Sequence, residues 1–162
     1  MGRDAQRGRD LATLARSFAA MERREWGGKA FDPGYFEDRL ADPRAVVVVL
    51  RAPDRRIAGF MIAAPDDDIA DALFIEDTLI AKRYRGRGNV ALLAQRMERV
   101  ARSRGYRYLT RDAAIANGYA DAIERAYAGR ILTRRDHPSP YGPQRYFKIA
   151  LAAPRRGRRA AR

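Results

Sequence analysis

The part of this sequence best suited to bind a ligand is the run Arg-Gly-Arg-Gly at residues 85–88. It lies between an apolar run at 72–80, a predicted strand, and an amphipathic stretch to about Ser103, a predicted helix. Glycine lets the backbone turn sharply and approach a ligand, and the first N–H groups of a helix have no partner within it. Together with the helix dipole they suit a diphosphate, so we predict an anion site at residues 85–90.

Other interpretations of this run remain. It is not a Walker loop, because no Gly-Lys-Ser/Thr follows,. It is not the dinucleotide fingerprint either, because the third glycine is missing,. In an arginine-rich chain the same tetrapeptide can be a solvated turn or part of an RNA-binding segment.

The rest of the composition narrows the possible chemistry. The chain has no cysteine, which excludes disulfides, thiolate nucleophiles and cysteine zinc sites,. The only histidine, His137, precedes Pro138, and we interpret it as an exposed loop residue. We therefore expect no metal, and chemistry that uses carboxylates, tyrosines, backbone amides and a diffusible cofactor.

Hydrophobic periodicity predicts the elements that position this run. The helices are expected at 10–24, 33–41, 88–103 and 117–128, and the strands at 45–51, 57–64, 72–80, 106–112, 131–133 and 145–151,. The strand-helix-strand order from 72 to 112 implies a right-handed crossover and parallel pairing. We predict an α+β fold with a mixed, mostly antiparallel sheet flanked by about four helices.

Length and charge set the organisation of the chain. Its 162 residues fit one domain, expected at 10–152, with basic and disordered termini at 1–9 and 153–162,. The net charge is +13, and five arginines lie in 154–162. A positive charge of this size is compatible with an anionic ligand and equally with a nucleic acid. No apolar run is long enough to span a membrane and the start lacks a secretory signal, so we expect a cytoplasmic protein with no membrane partner.

Residues 84–90, Tyr-Arg-Gly-Arg-Gly-Asn-Val, resemble the central motif of the GNAT (GCN5-related N-acetyltransferase) family, with Val90 where a small residue is usual. The resemblance extends over about residues 11–151. It includes the strand 57–62, Asn117 after the predicted strand 106–112, and the closing strand 145–151. The family's usual first strand is not evident before Asp10.

The resemblance implies direct transfer of an acetyl group from acetyl-CoA to a primary amine, without a metal. The diphosphate would bind Arg85, Gly86, Arg87, Gly88, Asn89 and Val90, while pantetheine would pair with the backbone of Leu79 and Ile80 and lie near Asn117. Glu76 or Asp77 would be the general base. Neighbouring strand residues alternate faces, so only one of them should reach the cleft, and we favour Glu76.

The family's proton-donating tyrosine would fall at Glu124, so Tyr127 is the candidate acid. The acceptor is a small amine, a protein or a nucleic acid, and the basic C-terminal tail could contact nucleic acid or a ribonucleoprotein. The protein is expected to be a monomer or a homodimer. The alternative class is a non-catalytic, basic nucleic-acid-binding protein.

Overall fold

The computed structural model of this chain describes residues 2–151. Its helices are α1 (Gly2–Trp26), α2 (Pro33–Ala41), α3 (Asn89–Ser103) and α4 (Tyr119–Ala126), and its strands are β1 (Val46–Arg51), β2 (Ile57–Pro65), β3 (Ala72–Ile80), β4 (Tyr108–Ala114), β5 (Ile131–His137) and β6 (Gln144–Ala150). None of these helices combines the length and apolarity that a membrane crossing needs.

The strands form one six-stranded sheet in the order β1-β2-β3-β4-β6-β5. β3 and β4 are parallel, because the crossover helix α3 joins them, and every other neighbouring pair is antiparallel,. These observations confirm the predicted α+β class, with a mixed, mostly antiparallel sheet and four flanking helices.

The helices cover the two faces of the sheet unequally. α3 and α4 pack on one face, where Leu93 and Met97 are fully buried against the strands. α1 and α2 pack on the other face against β1, β2 and the end of β3, through a cluster of Phe18, Phe36 and Phe60. On this second face the surface of β4, β6 and β5 is left open as a cleft.

Two element boundaries differ from the prediction by more than two residues. α1 begins at Gly2 rather than Asp10, because residues 2–9 contain no proline and the helix continues through them,. β5 continues to His137 rather than ending at Thr133, because β6 pairs with it to that residue. No strand precedes α1 within residues 2–151, as expected from the sequence. The tail at 153–162 lies outside the described residues.

Candidate active site

A slot opens between the parallel strands β3 and β4. Their pairing runs from Ala72 opposite Tyr108 to Ile75 opposite Arg111 and goes no further, whereas β2 continues to pair with β3 as far as Ile80. Residues 76–80 of β3 therefore have one edge without a strand partner in the part of the chain that the structure describes. Such an edge offers N–H and C=O groups to an extended ligand.

The register of β2 determines which backbone groups face the slot. The N–H of Ala81 donates to the carbonyl of Ala58 at 2.9 Å, and alternate residues of an antiparallel strand bond to the same neighbour. The backbone of Leu79 therefore turns towards β2, while Thr78 and Ile80 face the slot. Of the two expected residues, Ile80 alone has its backbone on the slot side, where its carbonyl accepts a hydrogen bond from Arg85 and its N–H faces the slot.

The glycine turn follows the end of β3 and leads into α3. Gly86 and Gly88 have φ values of 73° and 72°, a left-handed conformation that favours glycine,. No atom lies within 4 Å of where a Cβ would stand on either residue, so a ligand has room to approach. Gly88 caps α3 without a side-chain hydrogen bond to the first turn, which leaves the N–H groups of Asn89 and Val90 without such a partner,.

The other side chains of the turn hold it in place or face solvent. Asn89 donates its side-chain N–H to the carbonyl of Tyr84 at 2.8 Å. Arg85 forms an ion pair with Glu25 of α1 at 2.7 Å and donates from Nε to the carbonyl of Ile80 at 3.0 Å. Arg87 is exposed. The charge of Arg85 is thus already partnered, and Arg87 is the cation beside the turn that remains open to a ligand.

A β-bulge places both strand carboxylates on the same face of the sheet. Ile62 lies opposite Asp77 and Ala63 opposite Ile75, so Glu76 is an extra residue in β3,. Glu76 contacts α2, and Asp77 contacts Glu22 of α1. The expectation that these two carboxylates alternate faces is therefore wrong, because the bulge shifts the alternation by one residue.

Glu76 lines the open cleft and is held by two side chains of α2. Arg39 donates to its two oxygens at 2.7 and 2.6 Å, and the hydroxyl of Tyr35 donates to it at 3.0 Å. Its side chain is 18% exposed. A charge-assisted pair of this geometry fixes the orientation of the carboxylate at the rim of the slot.

Asp77 lies below the surface and does not line the cleft. Burial, with the nearby charge of Glu22 as the second cause, raises its pKa to about 8. Burial also raises the pKa of Glu22, which accepts a hydrogen bond from the N–H of Phe31 at 3.2 Å. The two groups share a hydrogen bond, so one of them carries a proton near neutral pH,. Sequence reasoning missed Glu22, although its position four residues after Phe18 places it on the buried stripe of α1.

The open cleft has a volume of about 810 Å³ and an acidic lining. Six of its lining residues are acids and two are permanent cations: Asp66, Asp67, Asp68, Glu76, Asp112 and Asp136, against Arg135 and Lys148. His137, expected in an exposed loop, ends β5 and lies 2.7 Å from Asp112. The hydrogen bond with the carboxylate of Asp112 raises the pKa of His137. The carbonyl of Pro138, which faces the other ring nitrogen, raises it further. Arg39 pairs with Glu76 and Arg145 with Asp136, so the acidic character of the cleft comes chiefly from Asp66, Asp67 and Asp68.

The α4 side of the slot carries the remaining expected residues. Asn117 accepts a hydrogen bond from the N–H of Tyr119 at 3.0 Å, which fixes the start of α4. Tyr127 is 4% exposed in the core, and burial, followed by the charge of Glu98, raises its pKa to about 12. Glu124, where a proton-donating tyrosine would fall, pairs with Arg134 and Arg145 instead.

Arg111 is a site residue that sequence reasoning missed. It is 4% exposed, donates to the hydroxyl of Tyr119 at 2.7 Å, and its Nε has no hydrogen-bond partner. No local pattern marks an arginine as buried when it follows a threonine in a short strand. Among residues 2–151, no group of three or more histidines, aspartates and glutamates is arranged to hold a metal ion.

Comparison with known proteins identifies a family of N-acetyltransferases. The family model described as "Acetyltransferase (GNAT) family" matches residues 11–123. Among curated proteins, none matches the chain.

Several solved structures share its fold. The ribosomal-protein-S18-alanine N-acetyltransferase from Escherichia coli has a TM-score of 0.69 at 15% identity, covering 90% of this chain and 92% of its own. An aminoglycoside 6′-N-acetyltransferase complexed with coenzyme A has a TM-score of 0.70 at 13% identity, with 88% and 93% covered. A spermidine N-acetyltransferase chimera from Vibrio cholerae has a TM-score of 0.67 at 13% identity, with 86% and 92% covered. With a family model that matches most of its length, this chain belongs to the GNAT family of acetyltransferases.

Proposed function

We propose that this protein transfers an acetyl group from acetyl-CoA to a primary amine of a cationic acceptor. The observation that carries the proposal is the slot beside residues 76–80, which leads directly to the glycine turn at the start of α3. A donor with a diphosphate at one end and an extended amide-containing arm fits this arrangement. A CoA complex of a structural neighbour supports the same donor.

The donor would lie on the face of the sheet that carries α3 and α4. Its diphosphate would accept hydrogen bonds from the N–H groups of residues 86–90, with the dipole of the 15-residue helix α3 and the charge of Arg87 favouring the anion,. Its pantetheine arm would pair with the slot-facing backbone of Thr78 and with the N–H of Ile80. The side-chain N–H₂ of Asn117 would reach the same arm from the opposite side.

The acceptor would approach from the other face, through the acidic cleft. Its amine must be neutral to attack the thioester carbon, so a base has to take a proton. Glu76 lies where the cleft meets the slot, whereas Asp77 is buried against Glu22. We assign the base to Glu76, acting through a water molecule because Arg39 and Tyr35 occupy its oxygens in this structure.

The charge of the cleft supports a cationic acceptor, such as a small polyamine or an amino sugar. Asp67 and Asp68 are exposed on the rim, and they carry negative charge there even though Arg39 pairs with Glu76 and Arg145 with Asp136. A polyanion would meet like charges at this opening, whereas a second ammonium group would be attracted. Structural neighbours that act on an aminoglycoside and on spermidine are in keeping with this acceptor class.

Binding of acetyl-CoA to a glycine variant tests the donor site. Gly88→Asp would place a carboxylate beside the diphosphate at a residue with φ of 72°, so we expect affinity to fall tenfold or more,. Gly129→Asp is the matched control, because Gly129 has a φ of 78° and the same open surroundings but lies after α4. Isothermal titration should show loss in the first variant alone. Equal affinities in two folded variants would remove the donor site from residues 85–90.

A further inference from the structure

Arg111 is a buried arginine at the start of the slot. It is the last residue of β4 that pairs with β3, opposite Ile75, so it lies where the slot begins. Its guanidinium contacts Tyr119 on the α4 side, with its central carbon 4.9 Å from the ring centroid. This is the face on which the donor would lie, opposite the acidic cleft.

The surroundings of Arg111 leave its charge poorly balanced. Its partners in residues 2–151 are the hydroxyl and ring of Tyr119, and no carboxylate forms an ion pair with it there. Its Nε is buried without a hydrogen-bond partner. Moving a cation out of water costs several kcal/mol, and in proteins an anion usually offsets that cost. Arg130, an arginine on the same face, has such an anion, because Glu98 pairs with it at 3.0 Å.

Acyl transfer generates an anion beside this residue. When the amine nitrogen bonds to the thioester carbon, the C–S bond breaks and sulfur takes the electron pair, while the proton of the amine passes to the base and on to solvent. Burial raises the pKa of Tyr127 to about 12, so this tyrosine would have to give a proton uphill to the thiolate of an alkyl thiol, which is a stronger acid. Tyr127 is therefore poorly suited to protonate the sulfur as it leaves.

We propose that Arg111 stabilises the thiolate of CoA as it leaves the acetyl group, with Tyr119 holding the guanidinium in position. The proposal rests on the proposed function, because it requires CoA in the slot. A fixed cation in a site closed to water stabilises a developing anion without a proton transfer, and solvent protonates the thiolate after release. The role belongs to the donor half of the reaction and does not depend on which amine is acetylated.

The thiol of bound CoA reports this role directly. Because the chain contains no cysteine, the ultraviolet absorbance of thiolate in the complex comes from CoA alone. In wild type we expect the bound thiol to titrate at least one pH unit below the thiol of free CoA measured in the same buffer, which is a tenfold preference for thiolate. In Arg111→Met it should titrate at or above the free value, and Arg111→Lys should retain part of the shift.

Two controls separate this proposal from the donor site itself. Arg130→Met removes a neutralised arginine from the same face and should leave the bound thiol's titration unchanged. Desulfo-CoA, which lacks the sulfur, should bind wild type and Arg111→Met equally. A bound thiol that titrates alike in wild type and Arg111→Met, with desulfo-CoA bound by both, would overturn the role of Arg111 alone. Failure of wild type to bind either ligand would overturn the proposed donor site as well.

Discussion

Replacing Asp77 by asparagine should make the protein more stable at neutral pH. In the folded chain burial and Glu22 hold the pKa of Asp77 at about 8, against an ordinary value of 3.8. Between these two values the native state keeps a proton that the unfolded chain has released. Asparagine is close in size, carries no charge to bury, and can donate its N–H₂ to Glu22 as the protonated acid does.

The magnitude follows from proton linkage. Because the pKa is raised on folding, the contribution of Asp77 is most favourable below about pH 4 and is lost as pH rises to about 8,. The loss is about 1.4 kcal/mol per pH unit, or about 3 kcal/mol between pH 5 and pH 7.5. Asp77→Asn lacks this loss, so its advantage over wild type should grow by that amount, roughly 10 °C in melting temperature for a domain of this size.

Urea unfolding of wild type and Asp77→Asn at a series of pH values measures this difference. Asp38→Asn is the control, because Asp38 is an exposed aspartate of α2, and its substitution should shift stability by a small, nearly constant amount. A difference between wild type and Asp77→Asn that stays constant from pH 5 to pH 7.5 would refute the reasoning. It would mean that Asp77 is ionised in the folded protein.

Three further predictions concern the site. Glu76→Gln should lower turnover roughly 10²-fold with acetyl-CoA affinity kept, because glutamine accepts no proton; a larger loss from Asp77→Asn would show that the base is misassigned. The double variant Asp67→Asn, Asp68→Asn should raise KM for a diamine several-fold, because it removes negative charge from the rim of the cleft, and it should leave acetyl-CoA binding unchanged. An unaltered KM would argue against a cationic acceptor. Removing residues 153–162 should leave turnover on a small amine unchanged and weaken RNA binding at low salt, since arginines release counterions from phosphates; equal RNA binding with and without the tail would exclude it as a tether.

The elements of the fold could be predicted because each is marked locally. The valine run of β1, the glycine turn before α3 and the apolar stripe of α3 are all visible within a short window of sequence. The parallel pairing of β3 and β4 follows from the crossover between them. The strand, the turn and the helix start at which we propose that the donor binds were therefore predictable, whereas the buried Arg111 of β4 was not.

The acceptor side could not be predicted, because it depends on contacts between distant segments. The bulge at Glu76 is set by the pairing of β2 with β3, and it reverses the face expected for one carboxylate. The partners of Glu76 and Asp77 come from α2 and α1, at least 37 residues away in the sequence. The contact between His137 and Asp112 requires β5 to extend beyond its apolar residues. No periodicity encodes these pairs.

Transfer of the acetyl group from CoA to an amine can be followed with an isotope-labelled donor. The full chain would be incubated with deuterated acetyl-CoA and a panel of diamines and amino sugars, and both products would be quantified by mass spectrometry. We expect a labelled acetyl group on an amine nitrogen of the acceptor, one for each CoA released, and loss of both products in Gly88→Asp. Binding of acetyl-CoA with no labelled amine from any cationic acceptor, or release of CoA with free acetate as its only counterpart, would contradict it.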